Sequence, residues 1–285
     1  MSTFQASLRE LPDPEQASIG NLSRRLDLWM LAGIAIAVVA TIAGIASTGV
    51  SPTYFFQPTG ALIVIGGTLG VTFITTPRVA LLHSLRRVGD LFFPAHSSRE
   101  DLIEEIVSYV RLVRIRGLVA IEPVLGKTAN KFLAESLLLA MDVNQRGELE
   151  TALANKLRLS ERQGEADAKV LEVAGGFAPT IGVLGTVVGL IDVLRQFSTV
   201  SSVAYGLGTA FVSTIYGLAL ANLILLPAAH RMRARVAEAF EIQELIMEGT
   251  LCLFDRIHPA LVRQRLSCFV REVESEGHAA GKTLA

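Results

Sequence analysis

The chain has 285 residues, a formal net charge of −1 and 51% hydrophobic residues. Its mean hydropathy of +0.46 is high for a water-soluble protein of this length, and the balanced charge excludes the broad basic footprint of a nucleic-acid binder. The two cysteines, Cys252 and Cys268, share no metal-ligand spacing and read as reduced cytosolic thiols.

Residues 1–25 are mostly polar. Pro12, Asp13, Pro14 and Glu15 argue against a packed element there, so a cytoplasmic tail is expected. A bilayer core about 30 Å thick takes roughly 20 apolar residues of helix. Residues 26–76 supply two such spans, from about Leu28 to Val50 and from about Tyr54 to Thr76. The first apolar run is too long for a cleavable leader and follows a polar tail. Residues 77–172 read as a cytoplasmic helical domain, with Leu102, Ile106, Val110 and Val113 at helical spacing and Leu137, Leu138 and Met141 grouped nearby. Residues 173–229 supply two further spans, from about Val173 to Ile191 and from about Val203 to Ala229. Residues 230–285 form C-terminal cytoplasmic helices and a tail. Val236, Phe240, Met247 and Leu251 lie near one side there, Ile242 and Ile246 form a second stripe, and His258-Pro259 marks a turn or helix start. None of the four spans contains Asp, Glu, Lys, Arg or His, and no strand alternation is convincing anywhere.

Charge placement gives the orientation. Arg24 and Arg25 precede the first span, Arg78, Arg86 and Arg87 follow the second, and Arg231, Arg233 and Arg235 follow the fourth. The loop at residues 51–58 is uncharged, and the link between spans three and four holds only Asp192 and Arg195. The positive-inside rule then places both termini and residues 77–172 in the cytoplasm.

No enzyme is expected. The run Gly182-Val-Leu-Gly185-Thr-Val-Val-Gly189 has neither dinucleotide-loop nor P-loop spacing, and Gly185 and Gly189 read as a close-packing helix face. The five histidines are scattered, with no pair at i, i+4. Spans three and four instead carry Thr180, Thr186, Thr209, Ser213, Thr214, Tyr216 and Asn222. These groups can bond to helix carbonyls, or their oxygens can line an ion path and ligand a hard cation such as Na⁺. A proton or sodium path usually needs a carboxylate at membrane depth. The spans have none, so in a conducting bundle either a partner supplies the carboxylate or the path uses only neutral oxygens, and the sequence points to an incomplete channel that needs a second subunit. Pro179 and Pro227 each remove a backbone donor and mark either static bends or hinges.

Several motifs now coincide. Gly176-Phe-Ala-Pro179-Thr-Ile-Gly182-Val-Leu-Gly185-Thr186-Val-Val-Gly189 resembles the third-helix signature of the MotA/PomA flagellar stators, in the MotA/TolQ/ExbB superfamily. Ser213-Thr214-Ile-Tyr216-Gly217 with Asn222 and Pro227 resembles their fourth helix. Gly60-Ala-Leu-Ile-Val-Ile-Gly66-Gly67-Thr resembles their second, and Glu244-Leu-Ile-Met-Glu248-Gly249 their C-terminal helix. The likeness covers about residues 27–270.

The resemblance implies an all-α, multi-pass protein of the bacterial inner membrane: four transmembrane helices and a cytoplasmic helical domain, assembled as a homopentameric ring. The ring would surround a dimer of a MotB/PomB-type partner that brings the ion-carrying Asp, and ion flow would turn it against the rotor protein of the switch complex (FliG-type). No cofactor is implied beyond the transported Na⁺ or H⁺. The ion pathway would use Thr186, Thr214, Ser213, Pro179 and Pro227, with Thr186 a candidate transient Na⁺ ligand. Thr at both positions 186 and 214 favours Na⁺ over H⁺. The rotor contact would use Arg114 and Glu122, although Pro123 stands where relatives often carry another acid. By chemistry alone Arg111, Arg114 and Arg116 read as a solvated basic face.

Two alternatives share the composition. An ExbB/TolQ-type subunit also transduces ion flow, but has a single span before its cytoplasmic domain, and here two precede it. A membrane scaffold would conduct nothing.

Overall fold

The computed structural model describes residues 28–47, 49, 51–91, 98–126, 128, 130–195 and 200–269. The expected tail at 1–25 and the segment beyond 269 lie outside them. The described residues are helical and contain no strand. In chain order the helices are α1 (Leu28–Ser47), α2 (Pro58–Thr75), α3 (Arg78–Leu91), α4 (Arg99–Arg116), the single turn α5 (Glu122–Leu125), α6 (Lys131–Asp142), α7 (Arg146–Arg195), α8 (Val200–Ala219) and α9 (Leu226–Phe254). Residues 259–269 form a last helix, α10. Short 3₁₀ turns at Pro52–Phe55 and Leu118–Ile121 precede α2 and α5.

The chain divides into two compact units. Among the described residues, the first takes in 98–159 and 239–269. Its core is built from large aliphatic side chains: Leu102, Ile106, Val110 and Val113 of α4, Leu133 and Leu137 of α6, Leu245, Ile246 and Leu253 of α9, and Val262 and Leu266 of α10. The expected α4 stripe is therefore buried as a set, and both stripes of α9 contribute. Leu138 is the exception: it turns outward, 47% exposed, while Leu137 carries the packing. The predicted break at His258-Pro259 is present. A turn follows Phe254, and α10 starts on Pro259, where a missing N–H costs nothing.

Local chemistry sets the ends of these helices. The Asn130 side chain accepts from the N–H groups of Phe132 (3.0 Å) and Leu133 (3.2 Å), capping α6. At the end of α4, Gly117 takes φ +83° and its N–H bonds to the Val113 carbonyl (2.8 Å). A side chain resists that conformation, so glycine closes the helix. Arg114 and Arg116 lie in the last turn, where cations suit the helix dipole.

The second unit takes in residues 25–94 and 160–238. Three helical stretches within Thr53–Thr75, Arg146–Arg195 and Gly206–Phe254 are long and apolar enough to cross a membrane. The helix α1 adds 20 residues with no charged side chain. Pro58 starts α2, and Pro77 separates α2 from α3. Here packing is by small residues. A Cβ on Gly189 would lie 2.8 Å from the Ala210 backbone, and one on Gly217 would lie 2.6 Å from the Ala178 carbonyl oxygen. The α7 and α8 backbones therefore touch, as the Gly185/Gly189 spacing predicts.

Pro179 sits inside α7. Pro227 follows a π-helical stretch at Leu220–Leu225, where Leu226 donates to the Ala221 carbonyl five residues back. Proline clashes with the carbonyl four residues before it, and a widened turn gives the ring room. The expected bend at Pro227 thus has a defined form.

Candidate functional site

The hydroxyl-bearing faces of α7 and α8 meet at Thr186. Its Oγ1 lies 3.1 Å from the Ala210 carbonyl oxygen and 3.2 Å from that of Gly182, and it is hydrogen-bonded to Thr214 Oγ1. Four oxygens from two helices therefore converge, two hydroxyls and two carbonyls. Two hydroxyl protons cannot occupy all the lone pairs offered. A surplus of neutral oxygen lone pairs is what a hard cation takes in place of water. The close approach follows from sequence: Gly182, Gly185 and Gly189 flank Thr186 and let α8 come near enough for the hydroxyls to touch.

Ser213 serves a different seam. It is fully buried, its side chain pressed between Gly60 of α2 and Gly185 of α7, where added Cβ atoms would fall 2.5 Å from Ser213 Oγ and 2.8 Å from Ser213 Cβ. One residue along a helix is a turn of about 100°. Ser213 and Thr214 thus face different neighbours, and the threonine joins Thr186.

The comparisons with known proteins agree with this architecture. Residues 125–244 match the model of the MotA/TolQ/ExbB proton channel family. Motility protein A of Bacillus subtilis (strain 168) is 27% identical over 250 residues, covering 86% of this chain and 91% of that protein. Chemotaxis protein PomA of Vibrio alginolyticus is 26% identical over 245 residues, covering 86% and 94%. The flagellar MotAB stator complex from Bacillus subtilis has a chain of the same fold, with TM-score 0.78, 26% identity, and coverage of 87% of this chain and 98% of that one. The family model thus matches the stretch that carries α6, α7, α8 and most of α9.

Pro179 precedes Thr186 by seven residues, about 10 Å along α7. Pro227 follows Thr214 by thirteen, beyond the π-helical stretch. Thr180 donates to the Phe177 carbonyl (2.8 Å) and the Asn222 amide to the Leu218 carbonyl (3.0 Å), both within their own helices. Tyr216 braces the α1–α2 loop: its hydroxyl donates to the Phe55 carbonyl and accepts the Gln57 N–H (3.2 Å). The Thr209 side chain lies outside the described residues.

Arg114 and Glu122 belong to the other unit. Both are exposed, one in the last turn of α4 and the other opening α5. Between them the fully buried Ile121 pins the chain to the core. Tyr109 holds the far side of the same loop: its hydroxyl donates to Glu105 (2.7 Å) and is bonded to Thr128 (2.9 Å). Burial pushes the Tyr109 hydroxyl well above the ordinary range, so it stays a donor at any working pH.

One buried ionic group escaped sequence reading. Asp167 of α7 is fully buried, and its Oδ2 lies 3.2 Å from Arg87 Nε of α3. Burial pushes this carboxyl up, against the pull of Arg87 and His83. The two partners are 80 residues apart in the chain, and no local spacing pairs them.

Proposed function

We propose that this chain is the ring-forming subunit of a flagellar stator, with four transmembrane helices, both termini in the cytoplasm, and a place in the bacterial inner membrane. Its output is torque rather than bond chemistry. The observation that carries this reading is the four-oxygen cluster around Thr186, in a set of spans that lacks any carboxylate. Such a bundle can ligand a passing cation but cannot take up its charge alone. A partner resembling the MotB half of the MotAB complexes would supply the acid from one membrane helix, as a dimer within a homopentamer of this chain. Sodium is the favoured ion, because two hydroxyls and two carbonyls offer neutral oxygen ligands at one point. The cytoplasmic unit, through Arg114 and Glu122, would push a FliG-type rotor protein.

The test is Thr186→Ala, expressed with the partner in a host lacking its own stator. Assembly into the membrane complex is expected to persist while motility, or its sodium dependence, is lost. Unchanged swimming at all sodium concentrations would support a non-conducting scaffold instead. Charge reversal at Arg114 addresses the output end: reduced motility with normal membrane assembly is expected.

A further inference from the structure

The break after α8 frees polar groups that the Thr186 cluster does not use. Asn222 is exposed and stands in the π-helical stretch Leu220–Leu225. Beside it Ala221 is fully buried, and α1 packs against the same stretch, so the widened turn is held on its inner side. Phe211, Ile215 and Leu218 precede Asn222 on one exposed face at helical spacing, which makes the amide the polar end of an apolar stripe.

The hydrogen bonding around Asn222 is one-sided. In a regular α-helix the Leu226 N–H would serve the Asn222 carbonyl; here it donates to Ala221, and the next residue, Pro227, has no N–H. The Leu223 carbonyl loses its α-helical donor to the same proline. The Asn222 side chain spends an amide N–H on the Leu218 carbonyl (3.0 Å), and its Oδ1 has no partner among the described residues. Three carbonyl oxygens within two residues are therefore short of donors, two in the main chain and one in a side chain. At membrane depth they must be satisfied from elsewhere. A neighbouring helix is a poor source, because its N–H groups are bonded along its own axis, and the four spans carry no Lys, Arg or His. Acceptors short of donors suit a cation with what remains of its water, and the carbonyls of broken helices are a recurring means of holding small cations in membranes.

We propose that the π-helical break at Asn222 is a second cation station, which takes a hard monovalent cation with part of its water shell after it leaves the Thr186 cluster. Thr214 of that cluster precedes Asn222 by eight residues, about 12 Å along the helix and within about 80° of the same face. The station rests on the stator reading above, and it gives Pro227 a chemical role besides bending the helix: removing a donor so that carbonyls are left for the ion. All of its ligands are neutral, so the cation is held weakly enough to move on, as conduction requires.

The experiment expresses the full chain with its MotB-type partner in a host lacking its own stator. Swimming speed is recorded against Na⁺ concentration at fixed pH, and the purified complex is checked for partner and copy number. Asn222→Leu keeps the size of the side chain and removes its oxygen. It is expected to raise the half-saturating Na⁺ concentration about tenfold, with speed at saturating Na⁺ near wild type and the complex intact. Asn222→Asp puts a charge at the same point and is expected to lower the half-saturating concentration. An unchanged half-saturating concentration in both variants overturns the station, since water alone then caps the carbonyls. Loss of partner or copies in Asn222→Leu makes the residue a contact between helices, which also overturns it. Wild-type motility that ignores Na⁺ overturns the station and leaves the stator reading standing with H⁺. A wild-type complex that restores no motility overturns the stator reading itself.

Discussion

The two units of this chain bury opposite kinds of side chain. In the unit of residues 98–159 and 239–269, Ile106, Leu133, Leu137, Leu245 and Leu253 are wholly inside. In the span-bearing unit the seams between α2, α7 and α8 run through Gly60, Gly182, Gly185, Gly189, Gly217, Ala178 and Ala210, with few larger side chains such as Val64 and Val212 buried beside them, while Leu62, Ile65, Leu69, Phe73 and Ile74 of α2 point outward. The physical reason is the solvent. Water drives large apolar groups together, so a water-facing unit hides them. Lipid is as apolar as leucine, so a helix gains nothing by hiding leucine there and gains by close backbone approach. Each unit thus reports the medium it was built for.

The comparison can be broken at either end. The largest effect is expected from Leu253→Ala, which empties part of the fully buried aliphatic core and should cost about 2–5 kcal/mol. Thermal unfolding of the full chain in detergent would show it, and a near-zero cost would mean this core does not hold the unit together. Next comes Gly217→Ala. One methyl would land against the Ala178 carbonyl, forcing α7 and α8 apart at a cost of about 1–3 kcal/mol. Gly66→Ala is its control: nothing lies within 4 Å of that position, so the change should be nearly silent. Equal losses from the two variants would contradict close-packing as the role of Gly217.

The smallest effect sharpens the boundary between the two media. Asp167 is a buried acid in the span-bearing unit, outside the apolar segments, faced by Arg87 and His83. Its folded carboxyl is raised above 3.8, chiefly by burial. The folded protein therefore binds this proton more tightly than the unfolded chain does. Its contribution to stability is greatest at low pH and is lost as pH rises through the raised value. Asp167→Asn removes that dependence. It is expected to leave stability near pH 7 unchanged or slightly higher, and to flatten the pH profile from 3.8 upward. A large loss at neutral pH would show instead that the Arg87 attraction outweighs the cost of burial.

Much of this was legible before any coordinates, because its signals are local. Four uncharged runs, the Gly185/Gly189 spacing, the buried α4 stripe and the start of a helix at Pro259 all follow from periodicity, small-residue spacing and proline geometry. The places where reading along the chain fell short involve partners far apart. Leu138 shares its neighbourhood with Leu137, but α6 buries only one of them. Ser213 packs against Gly60, some 150 residues earlier, a neighbour that no local spacing names. Arg87 meets Asp167 across 80 residues.

The sequence by itself determined that the chain has a lipid-adapted part and a water-adapted part, that its spans carry hydroxyls without a carboxylate, and which motifs resemble those of known proteins. These depend on composition and on spacings of three or four residues, which a helix converts directly into faces. Only the tertiary structure decided that Thr186 and Thr214 share one oxygen cluster while Ser213 packs against Gly60 and Gly185, and that Ile115 and Val119 stand outward. Which face of a helix meets which neighbour is set by how whole helices pack, and that depends on contacts between residues far apart in the chain.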